Sequence, residues 1–297
     1  DEYGGKLMEQ LNDNAEIEYS GIGGVCMEKQ GLQSMYELEQ LSIMGFFEVL
    51  KKILFLKKVE NRILKHISTN QINHIVLIDY PGLNLRLCKK IKSISNIPIT
   101  YYISPQLWAW KEKRIEIIRE YVDQMFVIFE FEKNWYKERG VNVHYIGHPF
   151  LDIIKKNPRD ILNNQYNLNP DYPTITLFPG SRKQELNKHL KIFINAATLL
   201  KKDIKNLQII IGLHPKFEST IVKKMNHDIT IINDYPLKAL ELADAAIIAS
   251  GTATLQALLL GTPGIIVYKM NNLSWILTKF FVKVKYAGIV NILANKM

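Results

Sequence analysis

Residues 174–202 read TITLFPGSRKQELNKHLKIFINAATLLKK, and this stretch decides the fold. Every residue of the run Thr174–Phe178 is apolar or β-branched, which is typical of a parallel strand covered on both faces. A Pro-Gly turn follows, and apolar residues then recur at helical spacing from Gln184 to Lys202. A strand that passes through a short turn into a long amphipathic helix is the repeating unit of an α/β protein.

The same alternation extends through most of the chain. Further strands are predicted at Ile17–Ser20, His74–Asp79, Pro98–Ser104, Gln124–Phe129, Val143–Ile146, Leu207–Leu213, Ile229–Asn233, Ala245–Ala249 and Gly264–Val267. Further helices are predicted at Gly45–Ile67, Lys111–Tyr121 and Thr252–Leu260. The alternation breaks between Gly147 and Tyr172, a stretch rich in proline and asparagine, where we place a domain junction.

These patterns predict an α/β fold of two doubly wound Rossmann-like domains facing a cleft, residues 1–150 and 151–297. An α/β domain ordinarily leads with a strand, whereas this chain starts on Asp1 and enters a helix-like segment. We therefore expect the first domain to lack its first strand and loop.

The composition indicates which classes of binding partner suit the protein. The 297 residues include 38 Lys and Arg against 29 Asp and Glu, a formal charge of +9, which favours anionic lipids, phosphorylated substrates or nucleic acid. A lysine-rich proteome would give the same balance. The two cysteines, Cys26 and Cys88, show no metal-ligand spacing and exclude a disulfide scaffold. No run approaches the roughly 18 apolar residues that span a bilayer.

Two strand-to-helix turns carry small and hydroxyl residues suited to phosphate. The first is Gly180-Ser181-Arg182, where Ser181 and Gln184 fit a capping box that would start the helix. The second is Ser250-Gly251-Thr252. Free backbone N–H groups at helix N-termini bind anions, and arginine can clamp phosphate oxygens. Ordinary capped helices are the alternative, and neither a P-loop nor a Gly-x-Gly-x-x-Gly fingerprint is present.

Four residues of the first half are further site candidates. Asp79 ends a predicted strand, where a carboxylate serves either as a general base toward a sugar hydroxyl or as a turn cap. Trp108 and Trp110 suit stacking on sugar, contact with lipid, or packing in the core. His148 lies at the predicted junction beside the cleft. Metal-ligand spacing is absent among the histidines expected to be structural or exposed, which are His144, His189, His214 and His227.

One predicted helix mixes bulky apolar residues with lysine pairs, as an interfacial helix does. Its candidate membrane-contact residues are Met44, Phe46, Phe47, Leu50, Lys51 and Leu54. A second such patch is residues 275–283. The alternative for each is an amphipathic helix packed on its own sheet with lysines outward.

Several segments, in order along the whole chain, resemble those of the lipid-A-disaccharide synthases. They are residues 41–50 (LSIMGFFEVL), 78–81 (IDYP), 102–110 (YISPQLWAW), 147–149 (GHP), 179–182 (PGSR), 250–255 (SGTATL) and 267–270 (VYKM). The block Ser-Pro-Gln-Leu-Trp-Ala-Trp is the most specific of them.

The resemblance implies a GT-B fold and an inverting, metal-independent hexosyltransferase without cofactor. It would transfer 2,3-diacylglucosamine from UDP to 2,3-diacylglucosamine 1-phosphate (lipid X), giving tetraacyl disaccharide 1-phosphate and UDP. By position, Asp79 matches the general base, and Gly180–Arg182, Ser250–Thr252 and Gln256 match donor-nucleotide contacts. The resemblance also places the protein at the cytoplasmic face of the inner membrane of a Gram-negative bacterium, peripherally bound to the anionic surface.

The chain departs from the family pattern in several places. Gly82 replaces a second aspartate, Gln256 replaces the glutamate expected at the donor ribose, and only Asp1 remains of a family loop. The C-terminus also looks short, so we expect a chain truncated at both ends.

Other functions stay open on the residues alone. They are a different UDP-sugar GT-B enzyme, such as a UDP-N-acetylglucosamine transferase or epimerase, and an inactive membrane-binding fragment. A nucleic-acid-binding module is disfavoured, because the lysines are scattered rather than clustered, so no nucleic acid partner is expected. The oligomeric state is left open.

Overall fold

The computed structural model describes residues 1–37, 49–269 and 288–294, with the side chains of 37 and 49–53 left out. The chain divides into two compact units, Asp1–Pro149 and Phe150–Met297. Every strand pairing in the described residues is parallel, which confirms the predicted α/β class. The functions predicted for the two domains stay predictions.

The first unit holds six strands and six α-helices within the described residues. Its strands are β1 (Tyr19–Gly23), β2 (Leu32–Glu37), β3 (Ile75–Ile78), β4 (Ile99–Tyr102), β5 (Gln124–Val127) and β6 (His144–Tyr145). Its helices are α1 (Glu2–Asn12), α2 (Val25–Glu28), α3 (Val49–Thr69), α4 (Pro81–Lys92), α5 (Ile115–Tyr121) and α6 (Glu130–Lys137), with a 3-10 turn at Glu112–Arg114.

The main sheet of the first unit has the order β3-β4-β5-β6, and β1 and β2 form a separate parallel pair. Buried residues of the strands, such as Leu77, Tyr101 and Val127, pack with Ile91 of α4 and Ile118 of α5 in one core. Leu, Ile and Val at these positions supply the apolar burial that stabilises the unit.

Five strands lie in the described residues of the second unit. They are β7 (Thr174–Phe178), β8 (Gln208–Gly212), β9 (Thr230–Ile232), β10 (Ala245–Ala249) and β11 (Gly264–Val267). The described helices are α7 (Phe150–Ile153), α8 (Arg159–Gln165), α9 (Lys183–Asp203), α10 (Thr220–Lys223), α11 (Lys238–Leu242), α12 (Thr252–Leu260) and α13 (Ile289–Ala294).

Two cores lie on opposite faces of this sheet. Leu177 and Ile211 pack against Leu190 and Phe193 of α9 in one core. The alternate strand residues, such as Ile210 and Ile248, pack against α8, α11 and α12 in the other. Successive side chains of a strand point to opposite faces, so this division shows a doubly wound sheet covered on both sides.

The strand order β11-β10-β7-β8-β9 creates a switch point between β7 and β10. From β7 the chain continues to its neighbour β8 on one side, and β10 lies on the other side. Ile248 of β10 pairs with Phe178 of β7, so both strands end at the same edge of the sheet. In open α/β sheets, ligands bind beyond the carboxyl ends of the strands at such a point.

Candidate functional site

The turn after β7 depends on a glycine. Gly180 has φ +108°, a conformation that side chains rarely adopt. A β-carbon at this position would lie 2.5 Å from Glu185 Oε2. Two reasons therefore favour glycine at position 180: it can adopt the backbone conformation of the turn, and it leaves room for the close approach of Glu185.

Helix α9 begins one residue later than its sequence predicts. Arg182 is the N-cap residue, and its backbone N–H donates to Glu185 Oε2 at 3.2 Å. The predicted capping box of Ser181 and Gln184 is therefore wrong by one position, because Glu185 supplies the returning carboxylate. Glu185 also forms an ion pair with the Arg182 guanidinium at 3.0 Å.

The Arg182 side chain remains largely open to solvent. Its exposed fraction is 67%, against 14% for Glu185. The guanidinium has donors beyond the one used by Glu185, so it can also bind phosphate oxygens bidentately. Ser181 is exposed in the same turn.

The turn after β10 also has a glycine of positive φ beside the start of a helix. Gly251 is the N-cap of α12 with φ +149°, and a β-carbon there would meet no described atom within 4 Å. Thr254 donates its hydroxyl to the Gly251 carbonyl at 2.8 Å, which holds the first turn of the helix. Thr252 is exposed, the Ser250 N–H donates to Val267 at 3.3 Å, and Gln256 is half-buried. Among the described residues, the space beside Gly251 at the N-terminus of α12 is therefore open.

Asp79 lies at the corresponding edge of the first unit, after β3. Both Asp79 and Tyr80 have positive φ, +43° and +40°, which is uncommon for residues other than glycine. The Asp79 carbonyl accepts hydrogen bonds from the Tyr101 phenol at 2.6 Å and from Asn84 Nδ2 at 2.7 Å. Two inward-facing side chains therefore hold an unfavourable turn in place.

Partial burial raises the pKa of the Asp79 carboxyl, while a backbone hydrogen bond from Tyr80 opposes that effect. The residue is exposed on its outer side, so water still reaches it. A carboxylate with a raised pKa accepts a proton more readily than a free one. The N-cap of α4 is Tyr80, which has no side-chain capping bond, so Asp79 is not the cap residue of that helix.

Aromatic rings line the ends of β4, β5 and β6 in the same unit. Trp108 contacts Phe131 edge-on at 5.1 Å, Phe131 stacks on Phe129 at 5.8 Å, and Phe129 contacts His148 at 5.6 Å. His148 also contacts Tyr3 at 6.2 Å. Trp108 and His148, two of the predicted site residues, therefore belong to one aromatic row.

Glu132 anchors this row and was not predicted. Its Oε1 accepts from Trp108 Nε1 at 2.9 Å and from Ser104 Oγ at 3.0 Å, and its Oε2 accepts from two backbone N–H groups. Burial raises the pKa of Glu132, and these hydrogen bonds lower it. Its position three residues after the helix N-cap was the available signal.

Burial also lowers the pKa of His148 to about 4, so its imidazole is neutral at pH 7. The pKa of Tyr3 is raised by burial and, to a smaller extent, by the charges of Glu2 and Asp79. Tyr3 thus stands near both Asp79 and His148, and these three residues share one edge of the first unit.

The membrane-contact prediction falls largely outside the described residues. Met44, Phe46 and Phe47 lie outside them, as do the side chains of Leu50 and Lys51 and the whole patch 275–283. Leu54 is 62% exposed, whereas Phe55 and Leu56 pack on the core of the first unit. No helix in the described part of the chain is long and apolar enough to cross a membrane. Within those same residues, no three His, Cys, Asp or Glu side chains cluster as metal ligands do.

The two parallel α/β units, with their turns at the strand ends, define a protein of the GT-B class, which includes glycosyltransferases and nucleotide-sugar epimerases. The solved structure of UDP-GlcNAc 2-epimerase from Neisseria meningitidis bound to UDP-GlcNAc is similar, with a TM-score of 0.62 and 13% identity over 98% of this chain and 86% of that one. At that identity the likeness shows the fold alone.

Sequence similarity then gives the family. Residues 1–297 match the family described as Lipid-A-disaccharide synthetase. Lipid-A-disaccharide synthase 1 of Legionella pneumophila (strain Lens) is 36% identical over 303 residues, covering 100% of this chain and 79% of that protein. The lipid-A-disaccharide synthase of Syntrophus aciditrophicus (strain SB) is 36% identical over 94% of this chain and 74% of that protein. The chain belongs to the lipid-A-disaccharide synthetase family and is a hexosyltransferase of lipid A biosynthesis.

Proposed function

We propose that the protein transfers 2,3-diacylglucosamine from UDP to lipid X, with inversion at the anomeric carbon. The products are tetraacyl disaccharide 1-phosphate and UDP. The observation that carries the proposal is the pair of glycine turns that leave the adjacent strands β7 and β10 at the switch point of the second unit.

The diphosphate of the donor suits these turns. Neighbouring strands lie about 4.8 Å apart, so the two turns are close enough together to contact one diphosphate. The N-termini of α9 and α12 offer backbone N–H groups, and the Arg182 guanidinium adds charged N–H donors. The charge that develops on the leaving UDP is stabilised by these groups, so the mechanism needs no metal ion.

Asp79 is the proposed general base. Its carboxylate takes the proton of the acceptor's 6-hydroxyl as that oxygen attacks the anomeric carbon of the donor sugar. The bond from this carbon to the UDP oxygen breaks, and its electron pair leaves with UDP. The raised pKa of Asp79 favours the proton transfer, and the turn held by Tyr101 and Asn84 fixes the carboxylate.

The proposed place of action is the cytoplasmic face of a Gram-negative inner membrane, where both acylated substrates lie. Helix α3 supports a surface contact, because Leu54 is exposed near the exposed lysines Lys57 and Lys58. An apolar side chain beside cations suits an anionic lipid surface.

Radiolabelled lipid X and UDP-2,3-diacylglucosamine test the reaction. We expect disaccharide formation by the unmodified protein, and a loss of at least a hundredfold in kcat for Asp79→Asn, on the order of 10²–10⁴ for a general base. Asp13→Asn, at an exposed aspartate that ends α1, is the matched control. Full activity of Asp79→Asn would remove Asp79 as the base.

Donor binding is tested separately by UDP titration. Arg182→Ala should weaken UDP binding by about tenfold, because a charged hydrogen bond contributes about 1.5–3 kcal/mol. Lys191→Ala removes an exposed cation from the same helix and should leave the affinity unchanged. Equal affinity of Arg182→Ala and the unmodified protein would contradict the phosphate clamp.

A further inference from the structure

His189 of helix α9 is completely buried, and both of its ring nitrogens bind backbone. Nδ1 lies 3.0 Å from the carbonyl oxygen of Pro179, and Nε2 lies 2.9 Å from the backbone nitrogen of Lys269. The Lys269 N–H can only donate, so Nε2 accepts. The ring proton is therefore on Nδ1 and is donated to Pro179.

The two backbone partners of His189 come from different strands. Pro179 immediately precedes Gly180 and so begins the turn after β7. Lys269 lies two residues beyond the end of β11. In the strand order β11-β10-β7, these strands flank β10, which carries the turn at Gly251. The imidazole thus links both sides of the edge at which the two glycine turns lie.

Neighbouring rings hold the imidazole in place. His189 stacks on Phe193 at 5.6 Å and contacts Tyr268 at 5.4 Å. A buried ring that is packed on two sides and bonded at both nitrogens has one orientation and one tautomer. It therefore acts as a rigid brace between the two backbone segments.

We propose that His189 is a positioning residue of the donor site. Its two hydrogen bonds hold the Pro179–Gly180 turn and the end of β11 at the separation that lets the N-termini of α9 and α12 bind one diphosphate. This inference rests on the proposed function, since it deepens the same donor site. His189 acts through the turn and does not touch the donor itself.

Loss of the imidazole leaves the buried Pro179 without the donor that fixes its carbonyl. An unpaired buried acceptor is costly, so the turn would rotate toward another partner. Gly180 follows directly, and its positive φ depends on the orientation of that peptide. A small rotation there moves the N–H group of Ser181 away from the phosphate.

Replacement of His189 by a residue with an amide side chain removes one of its two hydrogen bonds and keeps the other. His189→Asn keeps a nitrogen donor near the position of Nδ1 and loses the acceptor for Lys269. His189→Gln keeps an oxygen acceptor near the position of Nε2 and loses the donor to Pro179. His189→Leu removes both. Leu190→Ala, at the next residue of α9 and in the same core, is the matched control for lost packing.

UDP affinity of the full chain is measured by calorimetry for each variant, with urea unfolding beside it. We expect His189→Leu to weaken UDP binding at least tenfold, and His189→Gln and His189→Asn each to weaken it by less, because each of them keeps one of the two links. Leu190→Ala should lose stability and bind UDP within twofold of the unmodified protein. Amide hydrogen exchange at Lys269 should speed up in His189→Leu and His189→Asn only.

Two results would overturn the inference alone. One is unmodified UDP affinity in His189→Leu, and the other is an equal loss of affinity in Leu190→Ala, which would make the effect one of core packing. If the unmodified protein failed to bind UDP, the proposed donor site would fall, and the inference with it, even if Lys269 exchange showed the brace itself to exist.

Discussion

The phenol of Tyr101, a completely buried side chain, donates a 2.6 Å hydrogen bond to the backbone carbonyl of Asp79. The bond joins the middle of β4 to the turn after β3. It fixes the peptide between Asp79 and Tyr80, two consecutive residues with positive φ. The placement of the proposed base thus depends on a hydroxyl that lies inside the core of the first unit.

Tyr101→Phe is expected to lower both stability and turnover. Removal of the hydroxyl costs about 1–2 kcal/mol of unfolding free energy, because the Asp79 carbonyl keeps only the bond from Asn84. We expect kcat to fall by about three- to tenfold with the donor KM unchanged, since the carboxylate loses precise orientation. Urea unfolding and initial rates measure the two effects.

Tyr136→Phe is the control, because Tyr136 is also completely buried and donates to a backbone carbonyl, that of Pro105. It should show a similar stability loss with a smaller change in kcat. If Tyr101→Phe kept full kcat while losing stability, the hydrogen bond would stabilise the fold without orienting the base.

Substitution of glycine by alanine is expected to lower the free energy of unfolding by different amounts in the two turns of the second unit. Gly180→Ala combines a positive φ with a β-carbon 2.5 Å from Glu185 and should destabilise by about 2–3 kcal/mol. Gly251→Ala meets only the backbone cost, about 1–2 kcal/mol, because the space around it is open among the described atoms. Thermal unfolding compares the two, and equal losses would contradict the steric argument.

Glu185→Gln should strengthen UDP binding. The glutamine oxygen can still accept the N–H of Arg182, so the start of α9 is kept, while the charge that competes with phosphate for the guanidinium is removed. We expect the Kd for UDP to fall by about three- to tenfold, in line with an exposed ion pair of about 0.5–1 kcal/mol plus relief of charge repulsion.

Asp203→Asn, which removes a carboxylate at the opposite end of α9, should leave the Kd unchanged. Weaker UDP binding by Glu185→Gln would show that the Glu185–Arg182 pair orients the arginine rather than competing for it.

Continuous apolar runs made much of the fold predictable. The predicted bounds of β7, β10, β11 and α12 coincide with those of the structure. Strand β2, Leu32–Glu37, was missed because Gln33, Ser34 and Glu37 interrupt its apolar residues. Strand β1 was placed too early, since Gly21 and Gly23 indicate a turn when read locally. Pairing with β2 makes these glycines part of a strand.

The turns of the candidate site were predictable from the sequence, whereas the hydrogen bonds that hold these turns in place were not. Strand ends followed by glycine located Gly180, Gly251 and Asp79 from local sequence. The bonds made by His189 and Tyr101 reach backbone atoms 10 to 80 residues away, so only the folded chain shows them. Side-chain types alone cannot indicate which backbone carbonyl a buried donor will meet.

His148 predicts a loss of stability in acid. Burial holds its pKa at about 4, against 6.5 for the free side chain, so between these values the unfolded chain binds the proton more strongly. The free energy of unfolding should therefore fall as pH drops from about 6.5 to 4, by about 1–2 kcal/mol once partial exposure is allowed for. In urea unfolding across this range, the free energy of unfolding should change less with pH in His148→Gln than in the unmodified protein. The control is His144→Gln, which removes an exposed histidine of β6. An identical slope in His148→Gln and the unmodified protein would show that the imidazole of His148 is not held neutral by burial.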